Sequence, residues 1–253
     1  NEKRDYAKVA YRLISKVLNL VPTDMKVENL SFKLDDNGKK TTINFQKLRL
    51  VTKQLETSIK VETKAFTQRI RIQGFADPRN KTADIRFFNI DTGAIKVPYL
   101  DEHFRLKSSF DSIRVNIQNI DKSGSELHLD GFASIANLMI NHKKIANKDV
   151  VIKNAKFDFR FLLGSDFISI DSSSTVQFNK VIFHPYLAYE TEEDTIYKLK
   201  VAIPKMKAQD FIVSLPDGLF THFQGMEAEG NFEYNLDFMF NKNKPNRLVF
   251  DSK

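Results

Sequence analysis

The chain of 253 residues has no cysteine, so disulfides, thiolate metal sites, a cysteine nucleophile and iron–sulfur clusters are all excluded, while the compartment stays open. Glycine and proline are scarce, at 9 and 7 residues. Average usage would give a chain of this length roughly 30 of the two together, so collagen, flexible linker and disordered chain are excluded as well. No stretch approaches the ~18 consecutive apolar residues of a membrane-spanning helix, and no basic-then-apolar leader with a small-residue cleavage site opens the chain. It starts at Asn1, which leads us to expect a processed or excised piece whose membrane anchor or catalytic domain lies outside these residues.

What is present is a core-forming composition: 42% hydrophobic residues, including 22 Phe. At about 150 residues per domain, this is one large all-β unit or two small ones. Lys and Arg number 39 against 32 Asp and Glu, a net charge of +7 that is unevenly spread. Residues 1–126 hold 24 basic and 16 acidic side chains, and 127–253 hold 15 and 16. Such asymmetry suits a first half lying near phosphates or lipid headgroups, and equally a solubility feature.

Tyr6, Val9, Ala10, Leu13, Ile14, Val17 and Leu18 recur at three- and four-residue steps before Pro22, which predicts an amphipathic helix within residues 1–24. From Met25 the period becomes two. Ile43 and Phe45, Ile59 and Val61, Ile70 and Ile72, Ile113 to Ile117, and Phe157, Phe159 and Phe161 alternate with polar partners, the mark of strands with one wet face. Asp35-Asp36-Asn37-Gly38 and Lys122-Ser123-Gly124-Ser125 read as hairpin turns, the second marking a possible division near residue 125 of a β domain spanning 25–253. The strongest predicted strand is the last, with Met226, Ala228, Gly230, Phe232, Tyr234, Leu236, Phe238 and Phe240 facing one way, unless Gly230 bends it. Lys207–Ser214 and Pro216–Phe223 read as helical turns that lid one end of the sheet.

The alternation changes phase across three asparagines in apolar-x-Asn-apolar patterns. Val27 is followed by Leu30 and Phe32, Ile135 by Leu138 and Ile140, and Ile152 by Ala155 and Phe157. A bulge or twist is expected at Asn29, Asn137 and Asn154, because Asn accepts such dihedrals better than β-branched residues do.

Catalytic and metal signatures are missing. The histidines at 103, 128, 142, 184 and 222 form no compact ligand set, so no metal is assigned. There is no Gly-x-Ser-x-Gly, Walker loop or Gly-x-Gly-x-x-Gly, hence no serine nucleophile and no cofactor. Glu227, Glu229 and Glu233 share one face of the predicted last strand, as a carbohydrate-active enzyme would need. Acids opposite an apolar row are also what a solvated strand face requires, and no catalytic residue is assigned. The basic first half lacks the interleaved aromatics of an RRM or OB surface, so nucleic acid is not an expected partner.

Gly131, Ile135-Ala136-Asn137-Leu138-Met139-Ile140-Asn141-His142, Asp149 to Ala155, Asp171 to Phe178, Ser214 to Phe220, Gly225 to Gly230 and Phe250-Asp251-Ser252 together resemble the AsmA-like region of Gram-negative envelope proteins, of the AsmA and TamB group. In one branch this region precedes a peptidoglycan glycosyltransferase domain. The resemblance implies a periplasmic protein anchored in the inner membrane, with a long curved sheet whose apolar concave face holds lipid. The chain lacks the transglycosylase glutamate motif, so it is expected to have no glycosyl-transfer activity alone.

The fold expected is therefore mainly β: an elongated, curved antiparallel sheet or a folded-over sandwich, with an N-terminal helix and a short helical lid. The function expected is a non-enzymatic envelope module that positions an adjoining enzyme or contacts lipid or polyprenyl-linked peptidoglycan intermediates, with the inner membrane surface near the N-terminus. Phe157, Phe159, Phe161, Phe232, Tyr234, Leu236, Phe238 and Phe240 are the candidate lipid-contacting residues, whose alternative role is a closed core. A carbohydrate-active enzyme and a purely structural spacer are the alternatives.

Overall fold

The computed structural model describes residues 5–19, 24–36, 39–51, 54–62, 67–77, 79–91, 93–216, 218–219 and 225–253. Helix α1 (Tyr6–Asn19) opens the chain, and its N-cap, Asp5, accepts the Lys8 backbone N–H at 2.8 Å. The strands β1 (Asp24–Asp36), β2 (Lys39–Val51), β3 (Gln54–Glu62), β4 (Thr67–Asp77) and β5 (Thr82–Asn89) follow as an antiparallel meander. After β6 (Ile95–Lys96), helix α2 (Pro98–Phe104) and β7 (Lys107–Phe110), the meander resumes with β8 (Ser112–Ser123), β9 (Glu126–Asn141) and β10 (Val150–Leu163). It ends with β11 (Phe167–Ile170), β12 (Thr175–Phe178), β13 (Val181–Glu190), β14 (Ile196–Lys207), helix α3 (Ala208–Ser214), β15 (Asn231–Asn241) and β16 (Val249–Ser252).

All sixteen strands belong to one sheet, in the order β1-β2-β3-β4-β5-β8-β9-β10-β11-β13-β14-β15-β16, with β12 also filling the place between β10 and β13. Both β7 and β8 pair with β9, Ser109 opposite Met139 and Ser112 opposite Ala136, so they form one interrupted strand.

Directly opposed residues share a face, so partners can be followed across the sheet. Leu30 faces Phe45, Phe45 faces Ile59 and Ile59 faces Ile70. One register step along, Ile72 faces Phe87, Phe87 faces Ile113, Ile113 faces Ile135 and Ile135 faces Ala155. Further on, Phe161 faces Ile170, Ile170 faces Leu187, Leu187 faces Leu199 and Leu199 faces Phe238. One face is thus apolar from β1 to β15, while the other carries pairs such as Arg86–Arg114, Asp158–Thr175 and Lys200–Asp237. Some aromatic side chains sit on the polar face beside cations: Phe132 lies between the Arg114 guanidinium and the Lys156 ammonium, each 5.0 Å from its ring centre, and Phe88 has the Arg71 guanidinium 5.9 Å from its own.

No second sheet covers the apolar face among the described residues. The protein exposes 16560 Å². A compact monomer of its mass would expose roughly 11,500 Å². The contiguous core is correspondingly small: Ala7 of α1 on Ile120 and Leu127, with Ala10, Tyr11, Ile14, Ile117, Leu129 and Leu163 around it. The folded-over sandwich is therefore replaced by an open single-layer sheet.

Several expectations change in detail. The strand expected to be the last is β15, which starts at Asn231 and not Met226 because Gly230 takes φ +89° and turns the chain before it, and β16 follows and pairs with it. The longest strand is β9, with 16 residues. The Lys122–Ser125 turn is a tight hairpin in which Ser123 pairs with Glu126 and Gly124 has φ +58°, and the sheet runs on through it. Helix α2, with Pro98 at its first position, was not foreseen. The tip of the first predicted hairpin, residues 37–38, and most of the second helical turn at 216–223 lie outside the described residues.

Asparagines do change the phase, without adding residues. Asn29 and Asn137 take φ +57° and +51°, yet the register of β1 on β2 and of β9 on β10 runs unbroken past them. A left-handed residue turns the alternation over by itself. Asn154 has no positive φ; the phase change in β10 falls at Lys153, directly across from Asn137. The line continues to Asp111, which accepts the Asn137 side-chain N–H at 2.5 Å in the gap between β7 and β8, and to Asn179, at φ +51°. True register shifts sit elsewhere: beside Gln46, beside Gln118, and between Ile203 and Met206.

Candidate functional site

All eight candidate residues lie on the apolar face, since Phe157, Phe159 and Phe161 alternate along β10 and Phe232, Tyr234, Leu236, Phe238 and Phe240 along β15. The three β10 rings lean together, with centroids 5.7, 5.2 and 6.2 Å apart. There is room for this because β9 places Gly131 opposite Phe159; a Cβ on Gly131 would stand 2.8 Å from the Phe159 ring and 2.1 Å from the Asn116 carbonyl oxygen. Phe159 is buried beneath its neighbours, and the other seven are half-buried.

Between the β10 and β15 clusters the face is open. Leu187 and Tyr197, opposed to Ile170 and Tyr189, are 39% and 42% exposed, and near the edge strand β1 Phe32 is 48% exposed. A closed core, the alternative role of the eight residues, would leave no large apolar side chain in mid-face so accessible. Leu187, Tyr189, Tyr197, Leu199 and Val201 were not singled out from the sequence, although Tyr197-Lys198-Leu199-Lys200-Val201 alternates as strictly as β10 does.

Helix α1 covers one end of the face. Its first N–H groups reach the β10–β11 turn, Ala7 N–H donating to the Gly164 carbonyl at 2.9 Å. Tyr6 meets Tyr189 with ring centres 6.2 Å apart, and Tyr189, Tyr197 and Phe240 continue as an aromatic row across three strands. A hydrogen bond with Tyr6 holds the Tyr189 phenol above its ordinary pKa. At the other flank, Lys81 donates to the Tyr11 hydroxyl at 3.4 Å, which pulls that phenol down. The buried side of α1 is Ala7, Ala10, Tyr11 and Ile14; Val9 and Leu13, expected on the same side, are 49% and 59% exposed beside Lys8 and Arg12. The expected apolar arc was wider than the sheet can contact, and its flank stays in solvent.

The far end is covered by two further pieces. Gln68, projecting from β4 on the apolar face, exchanges two hydrogen bonds of 3.0 Å with the Lys96 backbone and so ties β6 across it. Over β13 to β15, α3 lays Phe211 on Phe232.

The polar face carries a cleft of about 1050 Å³ over β13 to β16, lined by His184, Tyr186, Lys198, Lys200, Asp237 and Asp251 among others. Its cations are answered, Lys198 by Glu190 at 2.7 Å and Lys200 by Asp237 at 2.8 Å. The three acids considered for catalysis are not brought onto one strand face: Glu233 is on β15, while Glu227 and Glu229 precede Gly230 outside any strand, and all three are exposed. Among the described residues no three His, Asp or Glu side chains group as metal ligands, and no helix is long and apolar enough to cross a membrane.

No family model, no curated protein and no solved structure matches this chain.

Proposed function

We propose that this chain is a non-enzymatic lipid-holding module of the cell envelope, in which acyl or polyprenyl chains lie on the apolar face while the polar face meets water. The observation that carries this reading is the open middle of the apolar face, with Leu187 and Tyr197 accessible between the two aromatic clusters. Burying such a face releases roughly 25 cal/mol per Å², so a folded chain that leaves it uncovered has a strong drive to take up hydrocarbon. Its aromatic and branched lining offers hydrocarbon contact with few polar groups to desolvate. The basic excess of the first half, and Lys8 and Arg12 beside the exposed Val9 and Leu13, support an anionic membrane surface near α1. A role in positioning an adjoining peptidoglycan enzyme rests on the AsmA-like resemblance alone.

The test is native mass spectrometry and lipid extraction of protein purified without detergent, followed by rebinding of phospholipid and undecaprenyl phosphate to delipidated protein. Co-purified lipid is expected, and Leu187→Glu and Phe161→Glu are expected to lower rebinding at least about tenfold, as a charge placed in an apolar contact surface would. Delipidated, folded protein that binds neither lipid would remove the proposal.

A further inference from the structure

Helix α3 is fixed to the apolar face more firmly than a seven-residue helix needs to be. Phe211 stacks on Phe232 with ring centres 3.9 Å apart and planes inclined by 19°. Behind the stack, the buried Ser214 hydroxyl donates to the Asp210 carbonyl at 2.7 Å and accepts the Lys180 N–H at 3.1 Å. Asn179 donates to the Ser214 carbonyl at 3.0 Å, and the Lys180 ammonium meets the Asp210 carboxylate at 2.6 Å. The Gln209 side chain accepts the Ala228 N–H at 2.7 Å. The helix is thereby tied to the β12–β13 turn on one side and to the chain entering β15 on the other.

Along β15 the apolar row therefore has an aromatic at each end. Phe240 belongs to the row of Tyr197, Tyr189 and Tyr6 under α1, and Phe232 lies under Phe211 of α3. The eight residue steps from one to the other span about 26 Å of strand. The lining over that length is Leu187, Leu199, Val201, Leu236 and Phe238, with the Tyr234 hydroxyl already paired to Ser252 at 3.2 Å. An extended peptide laid there would leave its backbone N–H and C=O groups unpaired against hydrocarbon, whereas an acyl chain has no such groups to satisfy.

We propose that Phe211 is the stop of this slot: it sets how far an acyl chain extends along the apolar face, and so which chain lengths the protein accepts. This rests on the lipid-holding reading above and adds the residue that determines specificity within it. A chain that ends short of Phe211 gains contact with every added methylene. One that is longer must displace the Phe211–Phe232 stack or leave its tail in water.

The experiment is competition binding of saturated fatty acids from lauric to lignoceric on the delipidated full chain, read by native mass spectrometry. Wild type is expected to show affinity rising with length to a maximum and then falling. In Phe211→Ala the maximum moves to longer acids, with a gain of roughly fourfold for each methylene newly accommodated. Phe232→Ala, which removes the other half of the stack and leaves α3 unaltered, is expected to shift the maximum in the same direction. Val213→Ala, an exposed position on the same helix, leaves the profile unchanged. An unshifted maximum in both Phe211→Ala and Phe232→Ala, with fatty acid still bound, overturns the stop but not the lipid-holding reading. Binding of no fatty acid by the folded wild type overturns both.

Discussion

Two side chains show at single-residue scale what a one-layer sheet asks of its faces. Thr57 is buried on the apolar face opposite Ile72, with its hydroxyl unpaired. Thr57→Val keeps the shape and removes a desolvated hydroxyl, so a stabilisation of about 1 kcal/mol is expected in urea melts; a loss of stability would mean the hydroxyl has a partner. On the polar face, Asp84 accepts the Arg114 guanidinium at 2.9 Å, and that hydrogen bond holds its carboxyl below the usual carboxylate value. A lowered carboxyl contributes stability above its unfolded pKa of about 3.9, and this is lost as pH falls through the folded value. Asp84→Asn is therefore expected to cost up to about 1 kcal/mol at neutral pH, with the gap to wild type closing as acid is added below about pH 4. A gap that is constant across the acid range would show that the pair contributes through shape rather than charge.

At the scale of elements, the strands were legible because period-two alternation is a local property: β10 and β15 place all eight candidate residues on one side whatever lies beside them. The phase change was legible at Asn29 and Asn137 from the broken alternation of their own strands, but the left-handed turn at Asn179 was not, because the strand it follows has only four residues. At Asn154 the expectation failed because the phase change in β10 is matched to the neighbouring strand, opposite Asn137. How α1 docks was not legible either, since the breadth of an apolar arc does not say which part of it a flat partner will touch. The docked part depends on Ala7, which is 1% exposed against Leu127 and Ile120. Ala7→Glu places an unpaired carboxylate there, an expected cost of about 3 kcal/mol or more to the docked helix. Hydrogen exchange should then rise over residues 5–19 while β13 to β15 keep their protection; loss of protection throughout would make α1 part of the sheet's own cooperative unit.

The openness of the face is a property of the whole molecule, and no local pattern encodes it, because the same alternating strands would serve a sandwich equally well. It shows instead in the total surface. An unfolded chain of 29.2 kDa exposes roughly 42,000 Å². The folded protein keeps 16560 Å² and so buries about three-fifths of that, the proportion typical of a domain of about 60 residues rather than one of this length. A compact chain of the same mass would bury nearer three-quarters. The denaturant slope follows the surface exposed on unfolding, so urea unfolding of the lipid-free protein should give an m-value about 15% below that of a compact domain of equal length. Saturating lipid should raise the midpoint by mass action, since only the folded face binds it. If the lipid-free slope instead matches the compact value, the apolar face is covered in solution by something other than lipid. Dependence of the midpoint on protein concentration would then identify that cover as a second copy of the chain.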